Sequence, residues 1–210
     1  MTHSLTIKPL LLGSAAILFA SMASAEGMQI DAELDSGASH TSLGDLDGDG
    51  DLDLITSAED SDAFAVFLGK GDGTFGPGSQ IVTELDNWAV HTSLGDLDGD
   101  GDLDLITSAI SSDTFTVFFG RGDGTFGPGS QFGTRPDSGA WHTSLGDLDG
   151  DGDLDLVTSA WDSEAFTVLL GRGDGTFGPG SQVDTELDDL AVHTSLGDLD
   201  GDGDLDLVTS

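Results

Sequence analysis

Aspartates recur at alternate positions in four short stretches of the chain. In the first, GDLDGDGDLDL at residues 44–54, carboxylates stand at Asp45, Asp47, Asp49, Asp51 and Asp53. The pattern returns at Asp96, Asp98, Asp100, Asp102 and Asp104, and again at Asp147, Asp149, Asp151, Asp153 and Asp155. The fourth copy holds Asp198, Asp200, Asp202, Asp204 and Asp206. Like charges this close repel, by about 4 kcal/mol for a pair at about 4 Å and an effective dielectric near 20. A dication among them reverses the sign.

In the frame D-x-D-x-D-G-x-x-D, the first stretch places Asp45, Asp47, Asp49 and Asp53 at loop positions one, three, five and nine. Gly50 falls where a loop wrapped round an ion turns sharply, and Asp51 would offer its backbone carbonyl. Hard oxygen donors at this spacing suit Ca²⁺, which takes about 6–8 oxygens at about 2.3–2.6 Å. Mg²⁺ demands a tighter octahedron and retains its water, and zinc prefers nitrogen and sulfur. One such stretch alone also reads as a solvated acidic turn. Four in the same phase, each between two strand-like runs, favour the ion. A helical EF-hand is disfavoured, because Thr56 stands where its closing glutamate belongs and the flanks read as strands.

The elements that must position these loops follow from a repeat. His40, His91, His142 and His193 lie 51 residues apart, and so do the aspartates. Full repeats cover 40–90, 91–141 and 142–192, and a partial one begins at His193. Residues 28–39 match the tail of a repeat, 181–192. Within the first unit, residues 40–46, 52–58, 63–69 and 79–85 read as four short strands. Leu54 and Ile55 are adjacent and apolar, so the second strand is expected to be buried on both faces. The third carries Phe64, Val66 and Leu68 on one face and Phe67 on the other. GKGDGTF, between the third and fourth, carries the Asp-Gly signal of a tight hairpin. The expected fold is all-β, made of four-stranded β-propeller-type blades: three full repeats plus two partial ones, an incomplete propeller. An open β-solenoid is the alternative architecture.

Composition bounds the partners. The 210 residues carry 40 acids against 5 basic residues, a formal charge of −35. That excludes nucleic acid and disfavours an anionic membrane surface. Hydrophobic residues make up 37% and are placed periodically, which favours a folded chain over a disordered acidic one. Residues 1–25 read as a signal peptide: Lys8 in a short positive start, the apolar run 10–22, and Ala23-Ser24-Ala25 before Glu26. Residues 26–210 are then the mature repeat region, secreted or periplasmic. With no cysteine there is no disulfide to brace its loops.

LGDLDGDGDLDLITSA and LGKGDGTFGPGS, with their recurrences over residues 28–210, resemble the FG-GAP/VCBS repeats of integrin-α-like β-propellers. The resemblance implies an extracellular calcium-binding propeller used in adhesion or ligand binding. It puts calcium in the loop between the first and second strands, on the aspartates named above. Such propellers usually close with more blades than are found here, and an open sheet edge invites self-association.

Other constellations are weaker. Arg121-Gly122-Asp123 and Arg172-Gly173-Asp174 spell an adhesion tripeptide, but Lys70-Gly71-Asp72 occupies the same place, and turn chemistry explains all three. The repeat histidines would line a propeller channel, as packing residues rather than as a metal ring. No nucleophile–His–Asp set or phosphate loop is present, so no enzyme is expected. Differences between repeats gather at Glu59, Ile110 and Trp161, at Trp88, Gly139 and Leu190, and at Val90, Trp141 and Val192. With Arg135, these fall in loops opposite calcium. They suit a protein or carbohydrate ligand, or reflect drift in unconstrained loops. The expected function is adhesion or recognition. The alternatives are a non-catalytic scaffold within a larger secreted polysaccharide-acting enzyme and a purely structural or ion-sequestering acidic protein.

Overall fold

The computed structural model describes residues 38–58, 63–82, 89–109, 114–133, 140–160, 165–184 and 193–209. The signal-peptide reading and the partial repeat over 28–37 lie outside the described residues. So do Glu59, Trp88, Ile110, Arg135, Gly139, Trp161, Leu190 and Val192.

Every element among the described residues is a strand. The first sheet holds β1 (Ala38–Gly44), β2 (Asp53–Ala58), β3 (Ala63–Phe67) and β4 (Ser79–Val82), each antiparallel to the next. The second repeats the order with β5 (Ala89–Gly95), β6 (Asp104–Ala109), β7 (Thr114–Phe118) and β8 (Ser130–Gly133). The third comprises β9 (Ala140–Gly146), β10 (Asp155–Ala160), β11 (Ala165–Leu169) and β12 (Ser181–Asp184). The fourth pairs β13 (Thr194–Gly197) with β14 (Asp206–Thr209). The chain is thus an all-β array of propeller-type blades, open rather than closed into a ring.

The first three strands sit where hydrophobic alternation puts them, with shifts of a residue or two at their ends, and the fourth is described over Ser79–Val82, residues 83–85 lying outside the described residues. Asp45 and Leu46, expected to end the first strand, instead open the loop. Register is fixed between β1 and β2 by pairs such as Ser42 with Ile55 and Gly44 with Asp53. The second strand is buried on both faces in the second and third sheets, where Leu105, Ile106, Leu156 and Val157 are enclosed, whereas in the first sheet Ile55 is buried and Leu54 only partly so.

The core lies between sheets. Leu46, Ile55, Phe64 and Val66 of the first pack against Leu105, Phe118 and Phe126 of the second. Leu97, Ile106, Phe115 and Val117 pack in the same way against Leu156, Leu169 and Phe177 of the third. Phe64 meets Phe118 and Phe126 edge-on at 5.5 and 5.9 Å, and Phe115 meets Phe177 at 5.4 Å. Each buried Phe contributes about 1.5–3 kcal/mol. A single blade has only one such neighbour on each side, so the fold is held by contact between neighbouring blades.

The first strands stand side by side, β1 by β5, β5 by β9 and β9 by β13. Their histidines form a column: His40 to His91 is 3.7 Å between ring centroids, His91 to His142 is 3.9 Å, and His142 to His193 is 5.3 Å. Each Nδ1 is held by a threonine of the next blade. His40 meets Thr92 Oγ1 at 3.0 Å, His91 meets Thr143 at 3.1 Å and His142 meets Thr194 at 3.1 Å. Ser42, Ser93 and Ser144 donate to the backbone carbonyls of the same threonines. The histidines are therefore packing residues of the inter-blade seam, as the sequence suggests.

Candidate metal centres

Each aspartate loop joins the first strand of a blade to the second. Asp45 closes the loop on itself: Gly48 N–H donates to its Oδ1 at 2.8 Å and Gly50 N–H to its Oδ2 at 3.0 Å. Gly50 has φ 92°, a left-handed conformation that favours glycine. Asp47 accepts from Asp49 N–H, and Asp49 accepts from Asp51 N–H. Asp53, at the start of β2, is 1% exposed and holds two segments at once. Leu46 N–H reaches its Oδ2 at 2.7 Å, and Gly69 N–H, just after β3, reaches its Oδ1 at 2.6 Å. The two middle copies and their anchors match: Asp104 takes Leu97 and Gly120, and Asp155 takes Leu148 and Gly171.

Three carboxylates of each loop converge. Asp45, Asp47 and Asp53 each offer an oxygen within 4.8 Å of the others. The same holds for Asp96, Asp98 and Asp104, for Asp147, Asp149 and Asp155, and for Asp198, Asp200 and Asp206. Two oxygens on one Ca²⁺ at about 2.3–2.6 Å lie at most about 4.6–5.2 Å apart, so each triad fits round a single ion. Asp49, Asp100, Asp151 and Asp202, expected as fifth-position ligands, are not in the convergent groups. Each turns an oxygen to the backbone two residues on, as Asp47 and its equivalents also do. Asp51, Asp102 and Asp153 lie against Gly71, Gly122 and Gly173 of the hairpin in the same blade, where a Cβ would collide with their carboxylates. Nothing in the residue pattern pointed to that contact. It supplies a steric reason, beside the positive φ, for the glycine at the centre of each Arg-Gly-Asp.

Desolvation within the loop, then the facing charges of Asp49, Asp53 and Asp45, hold the Asp47 carboxyl above the usual carboxylate range. Asp98 and Asp149 are raised in the same manner, and burial raises Asp104. Raised carboxylates mark places where added negative charge is poorly accommodated and a cation is welcome.

The hairpins are internally bonded. Asp123 Oδ1 accepts from Thr125 N–H at 3.0 Å and from Thr125 Oγ1–H at 2.6 Å, while Arg121 donates to Phe126 O at 2.6 Å. Lys70 donates to Phe75 O at 3.0 Å, doing the same work. Turn chemistry therefore accounts for the tripeptide. The hairpins of the second and third blades also reach the preceding blade's aspartate loop: Gly124 N–H donates to Leu46 O and Gly175 N–H to Leu97 O, both at 2.9 Å. This latch was illegible in the sequence, since it joins residues 78 apart through backbone atoms. Of the variable positions expected in loops, Val90 lies instead in β5 and Trp141 in β9, where strand pairing extends further than expected; Trp141 is half-buried, its carbonyl accepting from Ser108.

A repeated strand–acidic loop–strand unit with three convergent carboxylates defines a propeller-type blade whose loop could hold a metal ion. The FG-GAP-like repeat model matches residues 45–107, 108–158 and 159–209, and the chain belongs to that family. Among solved structures, it is similar to an Agrocybe aegerita lectin described for specific recognition of non-reducing terminal N-acetylglucosamine. That match has 26% identity and a TM-score of 0.57 over 80% of this chain and 45% of the lectin chain. A Photorhabdus luminescens Tc holotoxin pore matches at 18% identity and TM-score 0.47, over 88% of this chain and 11% of the other. The V. cholerae biofilm matrix protein Bap1 matches at 17% and 0.40, over 75% and 30%. The chain thus spans less than half the length of each. No curated protein matches it.

Proposed function

We propose that this chain is an extracytoplasmic, non-enzymatic recognition module whose blades are braced by Ca²⁺. The carrying observation is the fourfold convergence of Asp45, Asp47 and Asp53 and their equivalents, in a member of the FG-GAP-like family. In this reading the ion neutralises the triad. Asp53, already tied to Leu46 and Gly69, passes that order into the strands on either side. Ion binding to the folded state alone stabilises the fold by mass action. The ligand is a carbohydrate or a protein, taken at the loops opposite calcium. The likeness to a sugar-binding lectin favours a carbohydrate.

The test is a calcium titration by calorimetry, with melting in calcium and in chelator, followed by glycan-array binding in calcium. Binding of about four ions with a rising melting temperature supports the metal reading. A melt indifferent to both sinks it. Calcium binding without any glycan or protein captured would leave the structural reading of the repeats and discard recognition.

A further inference from the structure

Leu46 stands between two members of the first triad, Asp45 and Asp47, and is bonded to the third. Its N–H donates to Asp53 Oδ2 at 2.7 Å. Its carbonyl accepts from Gly124 N–H, in the hairpin of the next blade, at 2.9 Å. Earlier in that hairpin, Gly120 N–H donates to Asp104 Oδ1 at 2.8 Å. Asp104 belongs to the second triad. One short segment, residues 120–126, thus bonds to the acidic loop of its own blade and to that of the preceding blade.

The junction recurs. Asp104 Oδ2 takes Leu97 N–H at 2.8 Å, Leu97 O takes Gly175 N–H at 2.9 Å, and Gly171 N–H reaches Asp155 Oδ1 at 2.8 Å. The first three triads therefore lie on one path of hydrogen bonds and hairpin backbone. Side chains follow the same route. Gly124 seats on Leu68, and Gly175 on Phe119, so closely that a Cβ would collide. Leu68 and Phe119 immediately precede Gly69 and Gly120, the residues anchored on Asp53 and Asp104. Phe126, at the end of the same hairpin, is buried against Phe64 of the preceding blade.

We propose that the aspartate sites load cooperatively, each filled site favouring its neighbour through the hairpin between them. The inference rests on the calcium reading above. Continuity alone does not couple two sites; the hairpin does so because both sites bias its docking. Holding Asp45, Asp47 and Asp53 on one ion fixes the Leu46 carbonyl, and with it the docked hairpin. The docked hairpin keeps Gly120 N–H on Asp104 and so keeps the second triad convergent. Undocked, it leaves the Leu46 carbonyl and the Asp104 carboxylate, which is 1% exposed, each short of a donor. The coupling is reciprocal, so the second site favours the first by the same factor. The formal charge of −35 falls in magnitude as ions bind, which weakens attraction for later ones and opposes the coupling. Salt at about 0.15 M screens exposed charges beyond about 8 Å and leaves the bonded path intact.

The experiment is a calcium titration of the full chain by calorimetry at about 0.15 M salt, for wild type, Asp96→Ala and Gly124→Val. The wild type is expected to load steeply, with a Hill coefficient above unity. The printed bonds of Asp96 stay within its own loop, so its replacement acts on the second site. Coupled sites then lose one ion and bind at the two flanking sites about 5-fold or more weaker. Independent sites lose one ion and keep the rest unchanged. Gly124→Val drives a side chain into Leu68 and should retain the ion count with a lower Hill coefficient; if circular dichroism shows it unfolded, Asp96→Ala decides alone. A wild type that binds no calcium removes the metal reading together with the coupling. Calcium bound at equal, independent sites, or flanking sites indifferent to Asp96→Ala, overturns the coupling and leaves the metal reading standing.

Discussion

Acidification from pH 7.5 to pH 5 should destabilise the metal-free protein through its histidine column. Burial, and then the neighbouring imidazoles of His142, His40 and His193, lower His91 from 6.5 to about 2. Burial and the facing His193 and His40 lower His142 from 6.5 to about 4. A depressed histidine contributes stability that is whole above the unfolded value of 6.5 and is lost as pH falls towards the folded value, since the unfolded chain takes up the proton first. At pH 5 the unfolded His91 gains about 2 kcal/mol from protonation that the folded one forgoes. His142 is more open to water and is discounted to about 1 kcal/mol. Together about 3 kcal/mol corresponds to about 6–12 °C in melting temperature for a chain of this size. The raised Asp47, Asp98, Asp104 and Asp149 act in the opposite sense, and only near the carboxylate range. Their protonation favours the folded state, and that contribution is lost as pH rises through their folded values. The assay is thermal melting in chelator at half-unit steps from pH 7.5 to 5, for wild type and H91Q. The variant should show a shallower fall, by about the His91 share. A wild-type melt that is flat over this window, or a variant with the same slope, would refute the reasoning.

Asp104→Asn should lower stability by about 2–4 kcal/mol even without metal, because an amide oxygen can serve Leu97 N–H or Gly120 N–H but not both. Denaturant unfolding in chelator reads this out. At free calcium 100-fold above a site's Kd, each site should add about 2.7 kcal/mol, so melting temperature should climb with the logarithm of calcium, and Asp45→Ala should remove one ion from the calorimetric count. Gly122→Ala should destabilise the third-strand hairpin, since the new methyl meets the Asp102 carboxylate as well as a φ of 61°. Pairing it with Asp102→Ala should recover part of the loss in a double-mutant cycle. Thr143→Val should cost about 1–3 kcal/mol by removing the hydroxyl that meets His91 Nδ1, while Ser93 Oγ keeps its bond to the residue 143 carbonyl.

Much of this architecture was legible because it is written in side-chain type and period. Alternating apolar residues gave the four strands, the 51-residue spacing gave the blades, and Asp-x-Asp-x-Asp-Gly gave the cradle. The acidic frame did not show which carboxylates converge, and Asp45, Asp47, Asp49 and Asp53 all also accept from the backbone. Asp47 and Asp49 look alike in sequence and each accepts from the backbone N–H two residues on, and only the chain path brings Asp47 and not Asp49 into the triad. The same limit hid the double anchoring of Asp53, whose partner Gly69 is 16 residues away. The histidine column was half visible. His-Thr-Ser at the repeat period placed the rings together, but the bond from each ring to the next blade's threonine depends on the stagger between strands.

The latch from Gly124 to Leu46, repeated from Gly175 to Leu97, the fit of Leu94 and Leu103 on Gly44 and of Leu145 and Leu154 on Gly95, and the histidine seam all join a blade to its immediate neighbour. Inserting or deleting one 51-residue unit therefore leaves every remaining junction chemically unchanged. Recombination between near-identical coding repeats can lengthen or shorten such an array without inventing a new contact. The number of blades is free to vary across generations while the rule for stacking them stays fixed.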